Sequence, residues 1–330
     1  MTGGRPTDTL RSLIDAFKIS QAIGVAATLG IADLLAGGAR SASELATATE
    51  THPGALGRLL SALASAGVLR TEDGERFELT EVGEGLRSDA AEPLGAWARF
   101  ATTHPTWQTW GALLHSVRTG DSAFAHVHGE PAWEYRSSHP EAAERFDSAM
   151  TESTRRSNAD LADACDFGRF GTVVDVGGGR GALLAALLDR NPGMRGVLFD
   201  LPHVAEVPSG LEDRLKVVTG SFFDGVPSGG DAYVLKYILH DWDDEDALAI
   251  LRACRQAMAA DAAVLVIERD LGRPGERLES KISDLNMLVS LGGRERTIDE
   301  YAALMERAGL RFVNATPTRS WSHVIEGRAV

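Results

Sequence analysis

Three groups of residues in this sequence have types and spacings suited to chemistry. The first is Asp175-Val176-Gly177-Gly178-Gly179-Arg180-Gly181, which closes a short β-branched run and opens an apolar helical stretch. Glycines at such a turn remove the Cβ barrier and let backbone amides approach a ligand closely. Alone, the loop is compatible with a dinucleotide, a nucleoside or no ligand. Two details favour an adenosyl ligand: the acid ends the strand just before the glycines, and the loop lies mid-chain. The second group is Asp200, at the end of VLFD, where a carboxylate can accept both hydroxyls of a ribose. The third is LKYILHDWDDED, which puts His240 and Asp241 just past a further strand. An isolated histidine there would be read as structural. Here Glu268 ends the next strand-like run, LVIE, and Glu295 lies in GGRERT beyond it. A carboxylate that accepts an imidazole N–H fixes the tautomer and raises the ring's basicity, as a general base requires.

These groups need a scaffold that brings them to one edge. From Gly171 onward, strand-like runs (TVVDV, RGVLFD, RLKVVTG, DAYVLKYIL, AAVLVIER) alternate with helical ones (GALLAALLDR, DEDALAILRACRQAMAA). Further helices are expected from about Leu278 and over Ile298–Ala308, then two closing strands, Arg311–Ala315 and Ser322–Glu326. The alternation predicts an α/β fold, a doubly wound and mainly parallel Rossmann-like sheet with helices on both faces. Ligands of such sheets lie beyond the carboxyl ends of the strands. All three groups fall there.

The text upstream reads differently. From about Asp8 to Glu92 it is mainly helical, with Leu13, Phe17, Val25, Leu29, Leu34 and Leu35 at spacings compatible with a 3.6 period. A short helix from Ser43, capped by Ser41 or Ser43, a turn at His52–Gly54 and a second helix ending at Gly67 precede a hairpin turn at Asp73-Gly74. This is a winged-helix-like pattern, and charge argues against DNA as its partner. The would-be recognition helix has Arg58 as its only cation, and the wing carries Glu72, Asp73, Glu75 and Glu78 against Arg70 and Arg76. A structural or dimer-forming role is expected instead. Between these halves lies a helical, aromatic-rich stretch with Trp97, Phe100, Trp107, Trp110, Phe124, Trp133, Tyr135 and Phe146. Most such rings serve a core, and some can wall a flat apolar ligand. The expected domains are therefore 1–92, 93–166 and 167–330.

The formal net charge of −14 makes nucleic acid a poor partner. Two cysteines are too few for a disulfide scaffold and lack metal-ligand spacing. The opening MTGGRPTDTL shows no signal-peptide pattern, and no apolar run has the length of a membrane span, so a cytoplasmic protein is expected. Asp241, Asp243, Asp244, Glu245 and Asp246 read as a strand-end loop and an acidic helix N-terminus, and no metal is expected.

As an ordered set, DVGGGRG, LFDLP, GSFFD, LKYILHDWDD, VIERD, DLNML and GGRERT resemble the caffeate-type (plant-like) S-adenosylmethionine-dependent O-methyltransferases and their bacterial natural-product relatives. The resemblance covers nearly the whole chain and implies roles residue by residue. Asp175, Gly177 and Gly179 would form the cofactor loop, and Asp200 would hold the ribose of S-adenosylmethionine. Ser221 and Phe222 would contact adenine, and Lys236 would contact the cofactor. His240 would be the catalytic base, flanked by Glu268 and Glu295. Met150 and Met287 would confine the sulfonium side and the aromatic acceptor, with Trp107, Phe146 and Asp241 as further substrate contacts. Plant members often carry Asp where this chain has Ser221. The implied reaction methylates a hydroxyl, phenolic by expectation, on a small aromatic or polyketide-type molecule and releases S-adenosylhomocysteine. The resemblance also implies a homodimer built on the N-terminal domain. Some relatives keep this fold yet hydroxylate or decarboxylate. A ligand-responsive winged-helix regulator is a remoter alternative.

Overall fold

A computed structural model describes residues 5–202, 204–205 and 210–330. The chain divides into two compact units, Met1–Trp107 with Glu144–Ser153, and Gln108–Ala143 with Thr154–Val330. Residues 93–166, read from the sequence as one connecting region, are thus shared between them.

In the first unit, a helix over Pro6–Thr28 precedes short helices at Ile31–Leu35 and Ala42–Ala48, then a longer one at Pro53–Ser65. Ser41, not Ser43, caps the third of these. Its hydroxyl accepts the Glu44 N–H at 3.2 Å, and the Glu44 carboxylate accepts the Ser41 N–H at 2.6 Å. Gly67 and Gly74 take positive φ of 79° and 77°, which a side chain would resist. They lead the chain into β2 (Leu69–Arg70) and β3 (Arg76–Leu79), which with β1 (Arg40–Ser41) form a sheet ordered β1-β3-β2. Leu45, Leu60, Leu63 and Phe77 fill the core beneath them. Helix, turn, helix and wing stand as read.

The second unit is built on seven strands: β4 (Thr172–Val176), β5 (Arg195–Asp200), β6 (Leu215–Thr219), β7 (Ala232–Lys236), β8 (Ala263–Arg269), β9 (Leu310–Pro317) and β10 (Ser322–Ala329). Their order is β6-β5-β4-β7-β8-β10-β9. The strands from β6 to β8 are parallel, and β10 runs antiparallel to β8 and β9. Side chains alternate between two cores. Val174, Val176, Val264 and Val266 meet helices Asp244–Ala257 and Ile298–Arg307 on one face. Val173, Leu265 and Ile267 meet helices Arg155–Ala164 and Ala182–Arg190 on the other. From β4 the chain winds outward to β6 and then returns to β7 on the other side. This places the topological switch between β4 and β7, where doubly wound sheets bind ligands.

Candidate active site

The loop leaving β4 is shaped by its glycines. Gly177 has φ +74°, and a Cβ there would lie 2.5 Å from Ile238 Cδ1. Its N–H instead donates to the Phe199 carbonyl at 2.8 Å. At Gly179, φ is +60° and an added Cβ would meet nothing within 4 Å, so the loop is open at that point. Asp200 ties the end of β5 to this loop: one carboxylate oxygen accepts the Gly179 N–H at 2.8 Å and the other the Leu201 N–H at 2.7 Å. The edge of the Phe222 ring lies 3.9 Å from the position a Gly177 Cβ would take. Ser221 Oγ accepts the Phe223 N–H at 3.2 Å.

Beneath the loop sit two buried groups of opposite sign. Burial pushes the Asp175 carboxyl up to about 7, against the pull of Lys236, and pushes the Lys236 ammonium down to about 7, against the pull of Asp175. Lys236 donates to Ser157 Oγ at 3.0 Å and to Asn158 Oδ1. Asp175 Oδ2 is buried and makes no hydrogen bond among the described residues. An open glycine cradle, a strand-end carboxylate and an orphaned buried oxygen together fit a nucleoside ligand that carries positive charge.

His240 stands on a single 3-10 turn, Leu239–Asp241, just past β7. Tyr237 makes that turn possible by taking φ +55°, an uncommon conformation for a bulky residue, and its ring stacks near-parallel on the imidazole at 5.7 Å. The amides of Ile238 and His240 then point at Glu268 Oε1, at 3.1 and 3.3 Å. His240 Nδ1 lies 3.1 Å from Glu295 Oε1 and 3.3 Å from Glu268 Oε2. The Glu295 contact has hydrogen-bond geometry, whereas Glu268 Oε2 makes no hydrogen bond among the described residues and acts through charge. The other ring nitrogen, Nε2, lies 3.3 Å from Asp241 Oδ1. Burial alone would lower the imidazole's pKa, but Glu268, Glu295 and Asp241 outweigh it and raise the value to about 10. Burial raises Glu268 to about 7 and Asp241 to about 6. Glu295 is held below the ordinary carboxylate value because His240 and Ser283 outweigh its burial.

Glu295 is fixed in turn by helix Leu278–Ser290: Ser283 Oγ donates to its carboxylate at 2.6 Å, and Asp284 accepts its N–H at 2.9 Å. Met287 is buried one turn beyond Ser283, on the same side of that helix. The second unit therefore holds Asp175, Gly177, Gly179, Asp200, Ser221, Phe222, Lys236, His240, Asp241, Glu268, Met287 and Glu295. Met150, Trp107 and Phe146 belong to the first unit, where Trp107 packs on Phe17 and Phe146 on Phe100. A wide groove of about 780 Å³ in the first unit holds none of the expected site residues. Arg58 and Glu75 are the charged groups in its wall.

Residues 11–89 match the O-methyltransferase dimerisation domain, and residues 110–311 match the O-methyltransferase domain. The chain belongs to the O-methyltransferase family. It is an S-adenosylmethionine-dependent enzyme of that family's bacterial natural-product branch. It is 39% identical over 318 residues to the mitomycin biosynthesis 6-O-methyltransferase of Streptomyces lavendulae, covering 94% of this chain and 90% of that one. At the same 39%, over 93% of this chain and 85% of the other, stands the aclacinomycin 10-hydroxylase RdmB of Streptomyces purpurascens. Among solved structures, the O-methyltransferase NcsB1 in complex with S-adenosylhomocysteine and 1,4-dihydroxy-2-naphthoic acid superposes with a TM-score of 0.80. It shares 38% identity, over 94% of this chain and 96% of that one.

Proposed function

We propose that His240 takes the proton of a phenolic hydroxyl on a small aromatic acceptor as a methyl group passes to that oxygen. The observation that carries this reading is the clasp on Nδ1 by Glu295 and Glu268, which leaves Nε2 as the proton acceptor. A phenol near 10 and an ordinary histidine near 6.5 are separated by roughly 3–4 units, or ~5 kcal/mol of unfavourable proton transfer. With His240 raised to about 10 that gap closes. The same carboxylates keep the resting ring protonated at neutral pH, with Nε2–H directed at Asp241. Nε2 must therefore shed a proton before it can accept one. When bound, S-adenosylmethionine supplies the methyl group, on a sulfur whose positive charge favours both that loss and the anionic oxygen. Asp200 would hold the ribose, Gly177 and Gly179 would line the nucleoside, Phe222 and Ser221 would flank the adenine, and Asp175 and Lys236 would set the charge beneath. Holding acceptor oxygen, methyl carbon and sulfur in line accounts for the remaining acceleration. Met287 and Asp241 are assigned to the acceptor side. The roles expected of Met150, Trp107 and Phe146 rest on the family resemblance alone.

A homodimer is part of the same reading. Helix Pro6–Thr28 exposes Leu10, Leu13, Ile14 and Phe17 in the single chain, an apolar face that a second copy would cover. No helix among the described residues is long and apolar enough to cross a membrane. A cytoplasmic site of action fits the two free cysteines, Cys165 and Cys254.

The experiment is a panel of phenolic acceptors incubated with S-adenosylmethionine and read by mass. A product heavier by one CH2, with equimolar S-adenosylhomocysteine, supports methyl transfer to oxygen. The similarity to RdmB favours one second reading, hydroxylation, which would show a gain of one oxygen and no S-adenosylhomocysteine.

A further inference from the structure

Arg296 belongs to GGRERT, yet neither the sequence pattern nor the proton-transfer scheme gives it a task. It is completely buried, which an arginine tolerates only when its donors are satisfied. All five are. Nε donates to Asp244 Oδ1 at 2.9 Å. Nη1 donates to the Leu239 carbonyl at 2.8 Å and the Arg294 carbonyl at 3.4 Å. Nη2 donates to the Trp242 carbonyl at 2.9 Å and to Asp244 Oδ1 at 2.7 Å.

The partners lie on both sides of the base. Leu239 precedes His240, and Trp242 and Asp244 follow it. The residue next to Arg296 is Glu295, which holds the imidazole itself. The segment is anchored in turn, because the Leu271 N–H just past β8 donates to the Arg296 carbonyl at 3.0 Å. One dipeptide thus holds the His240 ring through Glu295 and the backbone on either side of His240 through the guanidinium of Arg296.

We infer that Arg296 is a positioning residue for methyl transfer, fixing the turn that aims His240 Nε2 at the acceptor oxygen. Its planar fork reaches three carbonyls and a carboxylate at once. A lysine ammonium offers three donors from one point and cannot span them. Loosening this turn should move the ring relative to Glu268 and Glu295 while leaving the nucleoside loop as it is. The inference rests on the assignment of His240 as base.

The test compares wild type, Arg296→Lys and His240→Gln, reading kcat, the KM for S-adenosylmethionine and the pH dependence of kcat/KM. For Arg296→Lys the expected result is a kcat lower by ~10–100-fold with the cofactor KM within about twofold. Its acid limb should also move to lower pH, because an imidazole less tightly held by carboxylates loses its proton sooner. An Arg296→Lys enzyme with wild-type kcat and pH profile, beside an inactive His240→Gln, overturns the positioning role alone. Wild-type turnover in His240→Gln overturns the base assignment instead. A cofactor KM that rises in step with the fall in kcat shows general distortion and also overturns the proposal. Should Arg296→Lys fail to fold, Asp244→Asn, which removes the charge on the half-exposed partner, is judged by the same readouts.

Discussion

In the proposed scheme His240 is the base, and the three carboxylates that surround its ring set a pH dependence. A base works only in its neutral form, and burial, which lowers the ring's pKa, is outweighed by Glu268, Glu295 and Asp241. The rate should therefore climb with pH. We expect kcat/KM to rise about tenfold per unit above neutrality, with a limb well above the ~6.5 of a free imidazole. A profile already flat from pH 6 upward would contradict the carboxylate embrace. The sign for stability is opposite. A folded-state pKa raised above the unfolded value contributes stability that is complete below about pH 6.5 and lost as the pH climbs through about 10. Melting of the ligand-free protein should lose this contribution progressively over that window. The grouping of His240, Glu268 and Glu295 was legible in the sequence because the segments beyond the strand ends converge in a doubly wound sheet. The approach of Asp241 to Nε2 was identifiable only as a neighbour in the chain. It depends on the positive φ of Tyr237, which no hydrophobic period encodes.

At the level of elements, the strands and helices of the second unit follow the pattern read from Gly171 onward, because alternation and strand-end glycines are local signals. The packing of one loop on another is not local. Gly293 shows why: a Cβ there would fall on the carbonyl oxygen of His240 and against the backbone of Asp241. Its lack of a side chain lets Arg294 donate its N–H to that carbonyl at 2.9 Å. Backbone cannot swing aside as a long side chain can. Gly293→Ala should cost about 1–3 kcal/mol of stability. It should also lower kcat by at least ~10-fold through misplacement of the ring, with cofactor binding retained. Thermal melts and titration of S-adenosylmethionine check both parts, and a variant as active and stable as wild type would refute the contact. The pair of glycines in GGRERT was visible in the sequence, but its partner, 53 residues earlier in the chain at His240, was not.

For the whole molecule, residues 11–89 match the O-methyltransferase dimerisation domain, and assembly rather than DNA binding is the role proposed for the winged-helix-like unit. Arg58 and Glu75 are the charged groups lining its groove. On the helix Pro6–Thr28, Leu13 is 69% and Phe17 47% exposed. The 3.6-residue period was readable, but the sequence could not tell a face turned to the chain's own core from one left exposed in the single chain. Replacing Leu13 and Phe17 together with glutamate should convert a dimer to a monomer, as sedimentation velocity would report. A wild-type protein that sediments as a monomer at micromolar concentration would remove this role.

The claim on which the rest depends is that the imidazole at His240 moves the acceptor's proton. Single-turnover transfer of a labelled methyl group, in wild type and His240→Gln loaded with S-adenosylmethionine, tests it most directly. The account predicts unchanged cofactor binding and a chemical step slower by ~100-fold or more in the variant. Transfer at the wild-type rate by a fully loaded His240→Gln enzyme would contradict it.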